Sequence, residues 1–257
     1  MKEINNNFLS FVKNEWQDFI EGSHHKKISE KFNLLSKNKI QRLIINIPPR
    51  HTKSSFVSFL FPAWILGCKP NLKIIQITND NDNSTRFLSK IKKLMCKPSY
   101  KKIFKTRLKK NGESDNKLET EQEGEYYITT FETHISSQSV DLLIIDDPHS
   151  KEDKFDVSKL KKTYDWFIKK PLQLLQPNGV AVIVMTRSNS KDLTGCLLDM
   201  NAKLKKNKWE ILKLPVITQG GEPLWPQFWK LDELKEIKNS VSKEEWKFKW
   251  MQDSKNN

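Results

Sequence analysis

Apolar residues are spaced along this chain in two alternating rhythms. Nearly continuous runs occur at Leu43-Ile44-Ile45-Asn46-Ile47, Leu72 to Ile77, Tyr126 to Phe131, Val140 to Ile145 and Val180 to Met185. Polar or turn-forming residues bound each run, which reads as a buried strand. Between the runs the spacing becomes helical. Phe8, Val12, Trp16, Phe19 and Ile20 predict an opening amphipathic helix ended by Gly22, and Ile28, Phe32 and Leu35 predict a second. Phe87, Ile91, Leu94 and Met95 predict a third, Val157, Leu160, Tyr164, Phe167 and Ile168 a fourth broken near Pro171, and Leu231, Leu234, Ile237 and Val241 one in the tail. Strands alternating with helices predict an α/β fold, a mostly parallel sheet covered by helices on both faces. Residues Lys101 to Glu125 read as the least ordered stretch, either a solvated lysine-rich insertion or a basic loop on nucleic acid.

Three of the predicted strands end in chemistry. The first stops at Pro48-Pro49, continues through Arg50-His51-Thr52-Lys53-Ser54-Ser55 and leads into a helix. A turn of this kind aims backbone amides, the positive end of a helix and one lysine at a single point, which suits a phosphate. The template is the P-loop, in which Lys reaches the β/γ-phosphates and the next Ser or Thr holds magnesium; Lys53 and Ser54 fit it, while Ile47 and Thr52 stand at its glycine positions. The alternative is a strand-to-helix turn with an exposed lysine. The second strand delivers Asp146 and Asp147 at its C-terminal edge, where open α/β sheets bind ligands. The third ends in Thr186-Arg187, followed by Asp192-Leu193-Thr194-Gly195 and a helix. The convergence of three such ends on one edge says more than any one of them.

Composition narrows the partners. Of 257 residues 30% are charged, and the net charge of +14 points to a polyanion. Only Arg42, Arg50, Arg86, Arg107 and Arg187 are arginine among 45 basic residues, and two of these fall in the candidate phosphate loops. Cys68, Cys96 and Cys196 lack disulfide or metal-ligand spacing, which leaves a reducing compartment as the expectation. No apolar run approaches the roughly 18 residues of a membrane span, and Met1 to Asn6 carries no leader core. His24-His25 invites a metal reading, but neighbouring helical side chains point apart and no third ligand stands near in sequence. Trp246, Phe248, Trp250 and Met251 read as an anchoring surface.

In this order the motifs resemble the N-terminal ATPase domain of the large terminase subunit of tailed bacteriophages. The resemblance is carried by Pro48-Pro49-Arg50-His51-x-Lys53-Ser54, Phe61-Pro62-Ala63-Trp64 with Gly67, Val140 to Pro148 ending in Asp146-Asp147-Pro148, Thr186-Arg187, Asp192-Leu193-x-Gly195 and Leu224-Trp225-Pro226. It implies an additional-strand (ASCE-type) P-loop NTPase fold and an ATP- and Mg2+-dependent motor. Such a motor works as a homo-oligomeric ring on the viral portal protein with the small terminase subunit, driving double-stranded DNA into a procapsid. Carried over by position, Pro49, Arg50, His51, Thr52, Lys53, Ser54 and Ser55 bind ATP, and Ser54 and Asp146 hold magnesium. Asp147, Arg50 and Lys53 act in catalysis, and Thr186 and Arg187 couple hydrolysis to movement. The implied location is the host bacterial cytoplasm, transiently at the portal.

The domain division expected is a helical segment over 1–40, near the adenine around His24 to Ile28, an ATPase core over 41–200 and a C-terminal segment over 201–257. No nuclease domain is expected, so the nuclease would be a separate chain or lost. The sequence departs from the family pattern at Thr52, where glycine is usual, at Ser136-Ser137-Gln138-Ser139, and at Ser188 in place of an aromatic. These departures keep open a turnover-weakened subunit that binds DNA or docks on the portal, and Thr52→Gly is expected to raise nucleotide affinity modestly. A metal-dependent nuclease built on Asp146-Asp147 is a third reading, disfavoured because the other strands end in Thr78 and Thr186.

Overall fold

A computed structural model of the chain describes residues 2–131, 133, 135, 139–150, 152–153, 156–204 and 208–253. The apolar runs, rich in β-branched residues, form strands β1 Arg42–Asn46, β2 Lys73–Thr78, β5 Glu125–Thr130, β6 Val140–Asp146 and β7 Leu175–Met185. With β3 Leu108–Ser114, β4 Lys117–Thr120 and β8 Glu210–Lys213 they build one eight-stranded sheet in the order β3-β4-β5-β2-β6-β7-β1-β8. Every pairing from β5 to β8 is parallel, and only β3, β4 and β5 pair antiparallel. The inserted strand β7 separates β1 from β6. Its register, Asn46 opposite Met185 and Asp146 opposite Val184, brings the ends of all three to one edge.

Both faces of the sheet are buried. Leu43 and Ile45 of β1 join a core with Phe8, Phe32, Phe56, Phe61 and Trp64, while Ile44 between them joins a second core with Phe167, Leu193 and Leu197. This period-two division is what parallel strands buried on both faces require. The first core is covered by helices α1 Lys2–Asn6, α2 Phe8–Glu15, α3 Ser23–Ser36, α4 Phe61–Cys68, α5 Asn81–Cys96 and α6 Pro98–Ile103, the second by α7 Val157–Lys169 and α8 Leu193–Asn201. Beyond β8, a third cluster of Val216, Trp225, Trp229, Leu234 and Trp250 forms around α9 Leu231–Ser240. No helix among the described residues is long and apolar enough to cross a membrane.

Three expectations change. The opening helix ends at Glu15 rather than at Gly22, because Trp16 turns extended and Phe19 leaves the helix to stack on Phe56. Lys101 to Glu125 is ordered: buried Leu118 and Thr120 alternate with the more exposed Lys117 and Glu119, enough to dock the β3–β4 hairpin on the sheet edge. His24 and His25 do not point apart. Both are buried at the first turn of α3, with ring centroids 3.8 Å apart, drawn together by the aromatic wall of Phe56 and Trp225.

Candidate nucleotide site at the strand ends

The chain leaves β1 through Ile47, whose N–H donates to the Met185 carbonyl, and turns at the two prolines. Arg50 (φ 59°) and Thr52 (φ 55°) then take left-handed conformations although neither is glycine. His51 is buried and its Nδ1–H donates to Pro49 O at 2.8 Å, which closes the turn on itself. The helix begins at Lys53, widens into a π-helical stretch from Ser55 to Leu60 and continues as α4. The backbone thus supplies a tight turn entering a helix N-terminus, with Lys53 one residue before Ser54.

Lys53 meets both carboxylates. Its Nζ forms an ion pair with Asp147 and lies 3.8 Å from Asp146 Oδ1. Burial alone would depress the lysine, but Asp147 and Asp146 outweigh it and hold the ammonium above its ordinary pKa. Burial raises Asp146; Lys53 and, more weakly, Ser58 and Ser54 oppose that rise, while the neighbouring Asp147 adds to it. Ser58 Oγ donates to Asp146 Oδ2 at 2.6 Å, whereas Asp146 Oδ1 is buried with no hydrogen-bond partner. A buried carboxylate oxygen left over beside a serine hydroxyl, with an exposed second carboxylate at hand, is a donor set suited to magnesium on a phosphate. Asp147 sits at φ 51° and its side chain is 41% exposed, facing the loop. Thr186 joins the three ends: its N–H donates to Asp147 Oδ1 at 3.2 Å and its hydroxyl to Ile47 O at 2.9 Å.

One predicted residue stands elsewhere. Arg187 is buried away from the loop, with Nε donating to both oxygens of Asp192 at 3.0 and 2.8 Å and a terminal nitrogen to Asn189 O at 3.1 Å. Asp192 also caps α8 through Gly195 N–H, so this pair fixes the loop after β7 rather than facing Lys53. Arg50 is exposed at the turn, with no carboxylate in ion-pair range among the described residues. Ser136, Ser137 and Gln138 lie outside the described residues.

Sequence reading missed Ser58, His149 and Gln252, and it weighed His25 as a metal candidate and a neighbour of the adenine rather than as a partner of Thr52. Ser58 carried a signal, a lone hydroxyl within the apolar run Phe56 to Leu60. His149 Nε2 accepts Leu193 N–H at 2.9 Å, tying the acidic strand end to α8. Gln252 Oε1 accepts Arg187 N–H at 3.0 Å across the whole C-terminal segment, a pairing no local pattern announces.

No protein-family model and no curated protein matches the chain. Solved structures do. The large terminase of bacteriophage HK97 aligns with 98% of this chain and 55% of its own length, at 14% identity and a TM-score of 0.57. A mutant of the Thermus phage P74-26 large terminase ATPase domain aligns with 93% of this chain and 96% of its own, at 12% identity and a TM-score of 0.57. The large terminase of a thermophilic bacteriophage aligns with 91% of this chain and 53% of its own, at 10% identity and a TM-score of 0.60. The chain spans about half the length of the two whole terminases, 55% and 53%, and nearly all of the isolated domain, 96%. At such identities the likeness speaks for architecture, and the fold of this chain is the P-loop NTPase fold of phage large terminase ATPase domains.

Proposed function

We propose that this chain is the ATP-hydrolysing motor unit of a viral terminase that moves double-stranded DNA into a procapsid. The observation that carries the reading is Lys53, set between Asp146 and Asp147 at the end of a tight strand-to-helix turn, within a terminase ATPase fold. Lys53 and the loop from Pro49 to Ser55 would hold the phosphates, and Ser54 with Asp146 would hold magnesium. Bound magnesium would neutralise phosphate charge as the leaving group departs. Asp147, exposed and oriented by Thr186 N–H, is placed to orient or deprotonate a water. A phosphate would compete with Asp147 for the Lys53 ammonium, freeing that carboxylate as substrate binds. The DNA would lie on α5 and α6. No aspartate or glutamate stands between Asp82 and Glu113, and Arg86, Lys90, Lys93, Lys97, Lys101 and Lys105 are exposed along that face. The same reading places the chain in a ring on the portal, in the bacterial cytoplasm, with the small terminase subunit and any separately encoded nuclease as partners.

The decisive experiment is an ATPase assay with and without double-stranded DNA, joined to nucleotide titration. Lys53→Ala is expected to lose binding and turnover together; Asp147→Asn is expected to lose turnover while binding survives, because its carboxylate acts on water and competes for Lys53. Equal loss of binding in both would reverse these roles. A second reading, a turnover-weakened subunit kept for docking, is favoured by the left-handed Thr52. Wild-type protein that binds ATP and DNA but does not hydrolyse would select it. For the nuclease reading, no group of three or more His, Cys, Asp or Glu among the described residues is placed to hold a metal ion.

A further inference from the structure

We propose that His25 is a positioning residue for the phosphate-binding loop, holding Thr52 in its left-handed conformation through a directed relay of hydrogen bonds. The proposal rests on reading that loop as the nucleotide site. Gly22 N–H donates to His25 Nδ1 at 2.8 Å, His25 Nε2 lies 2.7 Å from Thr52 Oγ1, and Thr52 Oγ1 donates to His51 O at 2.8 Å. The direction follows from the ends. A backbone N–H can only donate, so Nδ1 accepts and the ring proton sits on Nε2; a carbonyl can only accept, so the threonine hydroxyl gives its proton to His51.

The ring has little freedom to do otherwise. It is buried between Phe19 at 4.7 Å, Phe56 at 4.6 Å and Trp225 at 5.2 Å between centroids. Burial, reinforced by the nearby His51, pushes its pKa down to about 3, so the neutral tautomer persists at neutral pH. Thr52 is β-branched at φ 55°, a conformation glycine adopts freely and threonine does not. Where the P-loop template has glycine, this chain has a side chain tied to a histidine from α3. The tie sets the amides before Lys53 in advance, which lowers the ordering cost of binding.

The test is a double-mutant cycle read by titration with a fluorescent ATP analogue and by thermal unfolding. Thr52→Val, which keeps the shape and removes the hydroxyl, and His25→Ala are each expected to weaken nucleotide affinity about tenfold. Their combination should be no worse than either alone. Thr52→Ser should bind as wild type, and His25→Gln, whose amide N–H can stand at the Nε2 position, should recover most of the loss. Additive losses in the double variant, or wild-type affinity in Thr52→Val, would overturn the proposal. Should variants not fold, nitrogen-15 spectra of wild-type histidines decide: the Nε2–H tautomer at His25 supports the relay and the Nδ1–H tautomer refutes it. Wild-type protein that binds no analogue would sink the nucleotide reading instead, and the tautomer with the thermal cycle would still judge the tie.

Discussion

At the scale of single residues, the site is a balance of charge and backbone strain. Lys53 neutralises one buried and one exposed carboxylate, so Lys53→Ala leaves Asp146 beside Asp147 without a cation. Breaking such a pair costs about 3–5 kcal/mol when both partners are buried. The exposure of Asp147, 41%, puts the expected loss at or below the lower end of that range. Thermal unfolding without nucleotide should show it, and an unchanged Tm would mean the lysine is idle there. Thr52 is held against its preference, a strain on the order of 1–3 kcal/mol. Thr52→Gly relieves that strain but leaves His25 Nε2–H buried without its acceptor, which costs about 1–3 kcal/mol. The modest gain in affinity expected from sequence therefore gives way to a neutral or adverse outcome in the same titration.

At the scale of elements, the ends of β1, β6 and β7 are stitched by side chains from neighbouring strands and from the tail. Gln252 is the farthest-reaching stitch. Buried at φ 53°, it accepts Arg187 N–H and donates to Lys249 O at 2.6 Å, binding the C-terminal cluster to the strand end beside Thr186. Gln252→Ala should destabilise by about 1–3 kcal/mol, the cost of leaving the Arg187 amide unpaired, in chemical denaturation. It should also lower any DNA-stimulated ATPase rate more than the basal one; equal effects on both would reduce Gln252 to a packing role. On the opposite flank, α5 carries a basic stripe. Lys90→Glu, Lys93→Glu and Lys97→Glu together should weaken DNA binding and flatten its salt dependence, with a slope smaller by about 0.9 for each phosphate no longer neutralised. An unaltered slope would put the DNA elsewhere.

Across the whole molecule, three buried histidines lie where α3, the phosphate loop and the C-terminal cluster meet. His24 and His51 stand 5.5 Å apart between centroids, and Trp225 packs 5.2 Å from His24. Burial first, then the neighbouring rings, pushes His24 down to about 2 and His25 to about 3; burial also lowers His51. The folded protein keeps these rings neutral while the unfolded chain protonates them near pH 6.5. The contribution of His24 and His25 to stability is therefore complete above about pH 6.5 and is lost as pH falls toward 3, and His51 acts in the same direction. At pH 5 the loss is about 2 kcal/mol each for His24 and His25, 1.5 pH units at 1.36 kcal/mol per unit. Asp146, raised by burial, acts in the opposite sense, so the informative comparison is with His24→Leu. Denaturation of that variant should show a shallower fall in stability between pH 7 and 5 than wild type, and parallel curves would show that His24 does not report burial.

The sequence by itself determined five of the sheet's eight strands, the principal helices and the edge at which Lys53, Asp146, Asp147 and Thr186 gather, because hydrophobic period and strand-end chemistry are local properties. Local signals also identified Thr52 as anomalous. Tertiary structure alone decided what those signals could not hold. The helix expected through Ile20 gave way when Phe19 found Phe56, and the lysine-rich stretch became a hairpin when Leu118 found the sheet edge. Arg187 turned to Asp192 instead of the phosphate loop, since a buried guanidinium needs a carboxylate partner and the nearest stood on the next turn of chain. The bond from His25 to Thr52 and that from Gln252 to Arg187 join residues 27 and 65 positions apart, which no window of sequence spans and only the packing of α3 and the tail against the strand ends creates.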